Sequence, residues 1–283
     1  MLFCYEGVET CFAMARRQRL DLRLVELGLV VSRQHAQQLI RAGKVRLADE
    51  ILDKPGREID LEAVPTVELP PRFVSRGGEK LAAALSQLPI EVAGRCCLDA
   101  GISTGGFSDC LLQHGAKLIY GIDVGYGQIA WSLRNDPRLI LRERTNVRHL
   151  QPQELYGPND SWPTLAVADL SFISLALVLP ALLALLHAGP GSEAILLVKP
   201  QFEVGRLRVG KGGVVRDLQA QADAVLAVAM AAAALGWKPQ GLVASPITGP
   251  SGNHEYLLWL GPQAGIDTVA WPDFVAQVVA DAN

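Results

Sequence analysis

Four short apolar runs in this chain each end on a charged residue: Cys96-Cys-Leu-Asp99, Leu118-Ile-Tyr-Gly-Ile-Asp123, Leu165-Ala-Val-Ala-Asp169 and Ala194-Ile-Leu-Leu-Val-Lys199. Continuous apolar runs of this length read as buried strands. Helical segments follow from Phe107 to His114, from about Leu175 to His187 and from Ala220 to Leu235. Gln240 to Pro246 and Asn253 to Leu260 read as two further strands. Strand and helix in alternation predict a doubly wound α/β sheet. Ligands bind such sheets beyond the carboxyl ends of the strands. One or two charged strand ends arise by chance, whereas four on one edge mark a site.

The chain has 283 residues, 49% of them hydrophobic and 19% charged. That is core-forming material for one or two domains, not a disordered segment. The five cysteines show neither paired spacing nor zinc-site spacing, and they imply a reducing, cytoplasmic setting. Cys96, Cys97 and Cys110 read as core residues. Met1 to Phe12 contains Glu6 and Glu9 and lacks the basic and apolar regions of a signal peptide. Leu170 to Leu186 is nearly all apolar but only 17 residues long, and it holds Ser171, Ser174 and Pro180. A membrane span needs about 20 such residues, so a strand end and a buried helix are expected here, without membrane insertion.

The formal charge of −3 is unevenly divided. From Arg16 to Arg46 there are eight basic residues (Arg16, Arg17, Arg19, Arg23, Arg33, Arg41, Lys44, Arg46) against Asp21 and Glu26, a net of +6, which leaves −9 on the remainder. Such asymmetry points to nucleic acid or to a solvated basic face. Leu20, Leu24 and Leu27 recur at helical spacing before Gly28. Ser32 is placed to cap a second helix with Ala36, Leu39 and Ile40 inward, and Gly43 closes it before the strand-like Lys44-Val-Arg-Leu47. Two short helices with cations outward suit backbone phosphates.

Arg19-Leu-Asp-Leu-Arg-Leu-Val-Glu-Leu-Gly28, Ser32 to Ile40 and Gly43-Lys-Val45 resemble the S4-type RNA-binding module. The resemblance implies contact with structured RNA. Residues 14–66 are assigned to it, and residues 1–13 are expected to be a disordered extension preceding Met14. A linker over 67–80 contains Pro70, Pro71 and Arg76-Gly-Gly-Glu-Lys80, and a second domain spans 81–283.

The first strand-to-helix turn is Asp99-Ala-Gly-Ile-Ser-Thr-Gly-Gly-Phe107, which is not a G-x-G-x-x-G dinucleotide fingerprint. Asp123 follows Gly101 by 22 residues, a spacing suited to ribose hydroxyls. Together they fit an adenosine-containing cofactor without a pyrophosphate, S-adenosylmethionine, with the glycine turn against its methionine moiety.

Longer motifs then resemble one family. They are the turn just described, Gly121 to Trp131, Glu143-Arg-Thr-Asn-Val-Arg148, Asp169-Leu-Ser-Phe-Ile-Ser-Leu175, Val198-Lys-Pro-Gln-Phe-Glu203, Gly210 to Asp217 and Ser245 to Leu257. In this order they are similar to the hemolysin-A-like TlyA family of rRNA methyltransferases with an FtsJ-type catalytic domain. The one departure noted is Ile102, where a smaller residue is more usual. The resemblance implies a Rossmann-like class I methyltransferase sheet behind a small α+β RNA-binding domain. It implies 2′-O-methylation of cytidine in the large-subunit rRNA, and in some members also the small-subunit rRNA, with ribosomal subunits as partners. It also implies a catalytic tetrad of Lys80, Asp169, Lys199 and Glu255. The cofactor-binding set is Asp99, Gly101, Ser103, Thr104, Gly105, Gly106, Phe107, Asp123, Val124, Asn146 and Asp169.

A ribose hydroxyl attacks only when its proton is drawn off, whereas a sulfonium methyl is already activated, so no metal is expected. Lys199 is assigned to the hydroxyl, Lys80 as a neighbouring cation, and Asp169 and Glu255 as orienting carboxylates. Taken singly, Lys80 reads as a solvated helix residue and Glu255 as a surface strand residue; beside the cofactor turn all four read as functional. Arg206 and Lys211 lie in a Gly-rich segment expected to grip RNA, and His254 is expected on the strand face opposite Glu255. A membrane-active hemolysin, a non-catalytic ribosome-assembly factor and a nicotinamide oxidoreductase are the rival readings. Oligomeric state has no signal in the sequence.

Overall fold

The computed structural model describes residues 16–68, 71–263, 265–266 and 270–283. The extension expected over 1–13 lies outside the described residues. The chain divides into two compact units with the boundary between Pro71 and Arg72.

In the first unit, β1 (Arg17–Arg19) runs into α1 (Leu20–Glu26), and α2 (Arg33–Arg41) follows. Then come β2 (Val45–Leu47), β3 (Glu50–Ile51), β4 (Glu58–Asp60) and β5 (Thr66–Val67). β1 pairs antiparallel with β4, and β2 lies between β3 and β5. The Ser32 side chain caps α2 by accepting from the His35 amide at 3.2 Å. Leu20, Leu24, Ala36, Leu39 and Ile40 bury the facing sides of the helix pair.

Asp21 is fully buried between the two helices. It accepts hydrogen bonds from Arg19 at 2.9 and 3.1 Å, from Arg33 at 3.0 Å and from Gln37 at 2.9 Å. Arg23 donates to the Leu61 carbonyl, and Lys44 pairs with Glu68. Part of the basic charge expected on an outer face is therefore directed inward. Arg16, Arg17, Arg41 and Arg46 are exposed and make no ion pair among the described residues.

The second unit starts with α3 (Gly77–Gln87), so Gly77 to Lys80 belong to a helix and not to the linker expected over 67–80. Leu81 and Ala84 draw that turn into the core. The following elements are β6 (Cys96–Ala100), α4 (Gly106–Gln113), β7 (Leu118–Ile122), α5 (Trp131–Arg134), β8 (Leu139–Arg142) and α6 (Pro152–Leu155). β9 (Leu165–Ala168), α7 (Leu179–Ala184), β10 (Glu193–Val198), α8 (Pro200–Glu203) and α9 (Leu218–Ala233) come next, then β11 (Lys238–Ala244), β12 (Tyr256–Gly261) and α10 (Trp271–Ala282).

The sheet order is β11-β12-β10-β9-β6-β7-β8. Only β12 runs against its neighbours. Alternate residues of the strands face opposite layers: Cys97, Ile119 and Val167 pack with α3 and α4, while Leu98, Tyr120 and Ala166 pack with α7, α9 and α10. The chain builds β6, β7 and β8 outward and then returns to lay β9 on the other side of β6. That reversal opens a crevice at the carboxyl ends of β6 and β9.

The long apolar run after Asp169 is a 3-10 turn over Leu175–Leu177 followed by the six-residue α7, with Pro180 in its first turn. No described helix is long and apolar enough to cross a membrane. The strand expected from Asn253 starts instead at Tyr256, because the Asn253 side chain accepts from the Val215 amide and donates to the Gly213 carbonyl. His254 accordingly lies ahead of β12, in a separate polar recess with Arg216 and Gln221, and not on a strand face.

Hydrogen bonds from Arg19, above all, hold the Asp21 carboxyl well below its usual 3.8. A lowered carboxyl stabilises the fold above its unfolded value, and that contribution is lost as pH falls below it. Asp21→Ala should therefore destabilise the first unit by on the order of 3 kcal/mol at pH 7, with the deficit shrinking below pH of about 4. Urea melts of both proteins across that range check this.

Candidate active site at the carboxyl edge of the sheet

The β6–α4 turn is built from unusual backbone. Gly101 has φ +84°, Ser103 +49° and Gly105 +98°. A Cβ at Gly101 would stand 2.6 Å from the Asp169 carbonyl oxygen, so only glycine lets the two strand ends approach this closely. Asp123, just past β7, accepts from the Ser103 amide at 2.7 Å and from the Gly125 amide at 2.6 Å. One carboxylate thus holds both the glycine turn and the turn after β7, and it lines the cavity between them.

That cavity has a volume of about 500 Å³ and is lined by Gly101, Ser103, Asp123, Val124, Asn146 and Asp169, among others. A second recess of about 290 Å³ shares Gly101, Ser103 and Asp169 and adds Thr104, Gly106 and Phe107 from the turn and start of α4. Lys80, Lys199 and Glu255 line it as well. A third, of about 370 Å³, continues from Ser171, Lys199 and Glu255 to Phe172, Gln201 and Phe202. The three form one cleft with the four expected catalytic residues at its middle.

These four side chains come from α3, β9, β10 and the approach to β12, elements far apart in sequence. They meet as two ion pairs. Lys199 Nζ lies 2.5 Å from Asp169 Oδ1, and Lys80 Nζ lies 2.5 Å from Glu255 Oε2. Both lysines and Glu255 are buried, so neither Lys80 nor Glu255 is the solvated residue that each suggests when read alone. Lys199 also donates to the Ser171 hydroxyl at 2.9 Å.

Ser171 and Glu203 are residues that the sequence reading passed over. Glu203 accepts from the Ser174 hydroxyl at 2.6 Å and the Leu175 amide at 2.8 Å. It thereby ties the segment after Asp169 to the segment after Lys199. Burial raises its carboxyl above the usual range. The only sequence sign of either residue is its place beside a strand-end charge. Arg206 and Lys211 are exposed in the loop after α8, while Arg208 between them is paired with Asp217 and Asp223.

Asp99 does not reach the cleft surface. It sits within β6, fully buried, accepting from the Ser108 hydroxyl at 2.7 Å through one oxygen. Its other oxygen has no partner among the described residues. It supports the turn from beneath, joined to α4 through Ser108 and covered by that helix.

Against known proteins, residues 73–262 match the model for FtsJ-like methyltransferases, and residues 18–64 match the S4 domain. A 16S/23S rRNA (cytidine-2′-O)-methyltransferase TlyA of Mycobacterium tuberculosis is 54% identical over 252 residues, 88% of this chain and 92% of the relative. This chain belongs to the TlyA family of FtsJ-like methyltransferases. A second relative, named Hemolysin A, from Brachyspira hyodysenteriae, is 38% identical over 84% of this chain and 98% of its own length. A solved structure from Streptococcus thermophilus, described as a provisional hemolysin, superposes with a TM-score of 0.69 at 36% identity, covering 95% of this chain and 97% of that one. The TlyA assignment and the sheet agree on a Rossmann-like methyltransferase unit with an S4 domain before it.

Burial pushes the Asp99 carboxyl up from 3.8 to about 7. The folded state then holds a proton that the unfolded state releases, so stability falls as pH rises through that window. Between pH 5 and 8 this group should remove on the order of 2–3 kcal/mol. Asp99→Asn should abolish that slope, becoming more stable than the parent at pH 8; chemical denaturation at both pH values measures it.

Proposed function

We infer that this chain transfers a methyl group from S-adenosylmethionine to the 2′-oxygen of a cytidine in ribosomal RNA. The observation that carries the reading is the pair of buried lysine–carboxylate contacts in mid-cleft, between the glycine-turn cavity and an outer recess open to substrate. The donor fits the first cavity on two grounds: the Gly101–Ser103 turn ahead of α4 lines it, and Asp123, at ribose-binding spacing, lines it with a carboxylate. The residues proposed to hold it are Gly101, Ser103, Thr104, Gly105, Gly106, Phe107, Asp123, Val124, Asn146 and Asp169, with Asp99 acting from below the turn.

When bound, S-adenosylmethionine supplies a methyl group already activated on sulfonium. The chain must then orient one hydroxyl and manage its proton. We assign the 2′-hydroxyl to Lys199 Nζ, which Asp169 and Ser171 hold in a fixed direction. Its charge stabilises the developing alkoxide, and the hydroxyl proton passes to Nζ as Nζ gives one of its own protons to Asp169, so the lysine stays charged. Glu255 holds Lys80 in the same recess and keeps the cluster near neutrality. Such preorganisation acts strongly because the groups are shielded from water.

The Mycobacterium tuberculosis relative is named for both 16S and 23S rRNA. We read the large-subunit RNA, presented in ribosomal subunits, as the substrate of this chain and the small-subunit RNA as a further one. Residues 14–66 serve as the RNA-binding domain, and the second unit, which begins at Arg72 and includes Lys80, as the catalytic domain. Phosphate contacts are assigned to the basic residues of the first unit that stay exposed, and to Arg206 and Lys211.

Lys199→Ala should lower methyl transfer to isolated ribosomal subunits by about 10²–10⁴-fold, while calorimetry shows S-adenosylmethionine still bound. Full activity in that variant would sink the assignment. Replacing Arg16, Arg17, Arg41 and Arg46 together with glutamine should reduce the slope of log affinity for subunits against log salt by about 3. Binding titrations over a range of salt read this directly.

A further inference from the structure

Beyond the cleft, the second unit carries a ledge that none of the assigned roles uses. It is built from the turn after β7, α5 and the segment following β8. Tyr126 and Trp131 are 65% and 77% exposed there, well above what burial-driven packing leaves for large aromatic residues. Arg144 is exposed beside Tyr126, and Arg142 and Arg148 are exposed on the same segment at the end of β8 and after it. The Arg144 guanidinium lies over the Tyr126 ring, 4.3 Å from its centroid.

The ledge is rigid. The Arg144 amide donates to the Gly125 carbonyl at 3.0 Å, and the Asp123 amide donates to the Arg142 carbonyl at 3.0 Å. Glu143 accepts from the Gly127 amide at 2.6 Å and from Arg134 at 2.9 Å, which anchors α5 and hence Trp131 to the same frame. Arg144 itself has φ +53°. Glycine or asparagine adopts that conformation more readily, so the position holds an arginine against backbone preference. Of the other non-glycine residues with positive φ among those described, Ser103 and Phe172 both line the cleft.

Charge points the same way. From Val124 to His149 there are five arginines and two acids, a net of +3. Both acids are occupied, Asp136 by Arg138 and Glu143 by Arg134. Arg142, Arg144 and Arg148 make no carboxylate pair among the described residues. Arg, Tyr and Trp are enriched at protein interfaces as well, but a net positive stretch whose two acids are both already paired suits a polyanion. Unpaired cations interleaved with exposed rings are the chemistry of a single-stranded nucleic-acid surface, where rings and guanidinium planes stack on bases and cations meet phosphates.

We propose that this ledge is a second RNA-contact surface, carried by the catalytic unit itself, which takes a single-stranded segment of the substrate RNA. Arg142 and Arg148 meet backbone phosphates, and bases stack on the free face of Arg144 and on Trp131. The proposal rests on the reading that the substrate is RNA. Its position beside Val124, Gln128 and Asn146 of the cofactor cavity places that segment at the cavity rim.

The test uses the full chain and ribosomal subunits from cells lacking this gene. If the parent protein neither binds nor methylates them, the RNA reading fails first, and the ledge with it. Given an active parent, Arg142→Gln, Arg144→Gln and Arg148→Gln combined should weaken subunit binding at least tenfold and lower the salt slope by about 2, with S-adenosylmethionine affinity within twofold. Trp131→Ala should raise the KM for subunits, and Trp131→Phe should restore it. Parental affinity and slope in the triple variant overturns the proposal. So does a loss of RNA binding matched by an equal loss of cofactor binding. A ledge that instead joins two copies of the chain, shown by a sedimenting dimer that Trp131→Ala dissolves with RNA affinity unchanged, overturns it as well.

Discussion

Lys80 and Lys199 are buried at the carboxyl edge of the sheet, each against its own carboxylate. Removing one partner of such a pair leaves an uncompensated charge away from water, at a cost of about 3–5 kcal/mol. The surrounding architecture satisfies this constraint. β9 and β10 run parallel, so Asp169 and Lys199 leave the sheet at the same edge, with Lys199 two residues beyond the position level with Asp169. β12 must run the opposite way to start, not end, at the same edge, which brings in Glu255. α3 then delivers Lys80 from the far end of the unit's sequence. The reversed strand is thus part of the site as well as part of the sheet.

The same economy governs the neighbouring carboxylates. Asp123 fixes two turns at once through backbone amides, and Glu203 clasps the loop after β9 to the helix after β10. Asp99 has a different environment: it is fully buried with one oxygen unpartnered, and its carboxyl is accordingly raised. In the first unit, Asp21 plays the converse part. It is buried but receives hydrogen bonds from Arg19, Arg33 and Gln37, and its carboxyl is lowered. Burial alone does not sign a carboxyl's behaviour; the count of donors aimed at it does.

Local pattern was a sound guide where each element is specified by its own residues. Ser32 caps α2, Gly28 and Gly43 adopt the left-handed backbone that ends the two helices, and the strands ending near Asp99, Asp123, Asp169 and Lys199 lie where their apolar runs place them. It failed where an element draws its definition from elsewhere. β8 is an edge strand with a half-polar pattern, Leu139-Ile-Leu-Arg142, that is recognisable only beside β7. The helix read across 175–187 is interrupted because Glu203 caps a 3-10 turn ahead of Pro180. The eight basic residues near the start read as one outward charge, whereas two of them converge on Asp21.

The sequence by itself determined the strands that end on charged residues and their order, the positions of the glycines that permit close approach, and the residue types available at the strand ends. These depend on a few neighbouring side chains at a time. Only the tertiary structure decided which lysine meets which carboxylate, that Asp99 lies beneath the turn, and that the Arg144 guanidinium lies over the Tyr126 ring. Lys80 and Glu255 are 175 positions apart. Their contact is set by strand order and direction, which no local period encodes, because chain reversal and crossover place residues by sheet neighbour and not by sequence neighbour.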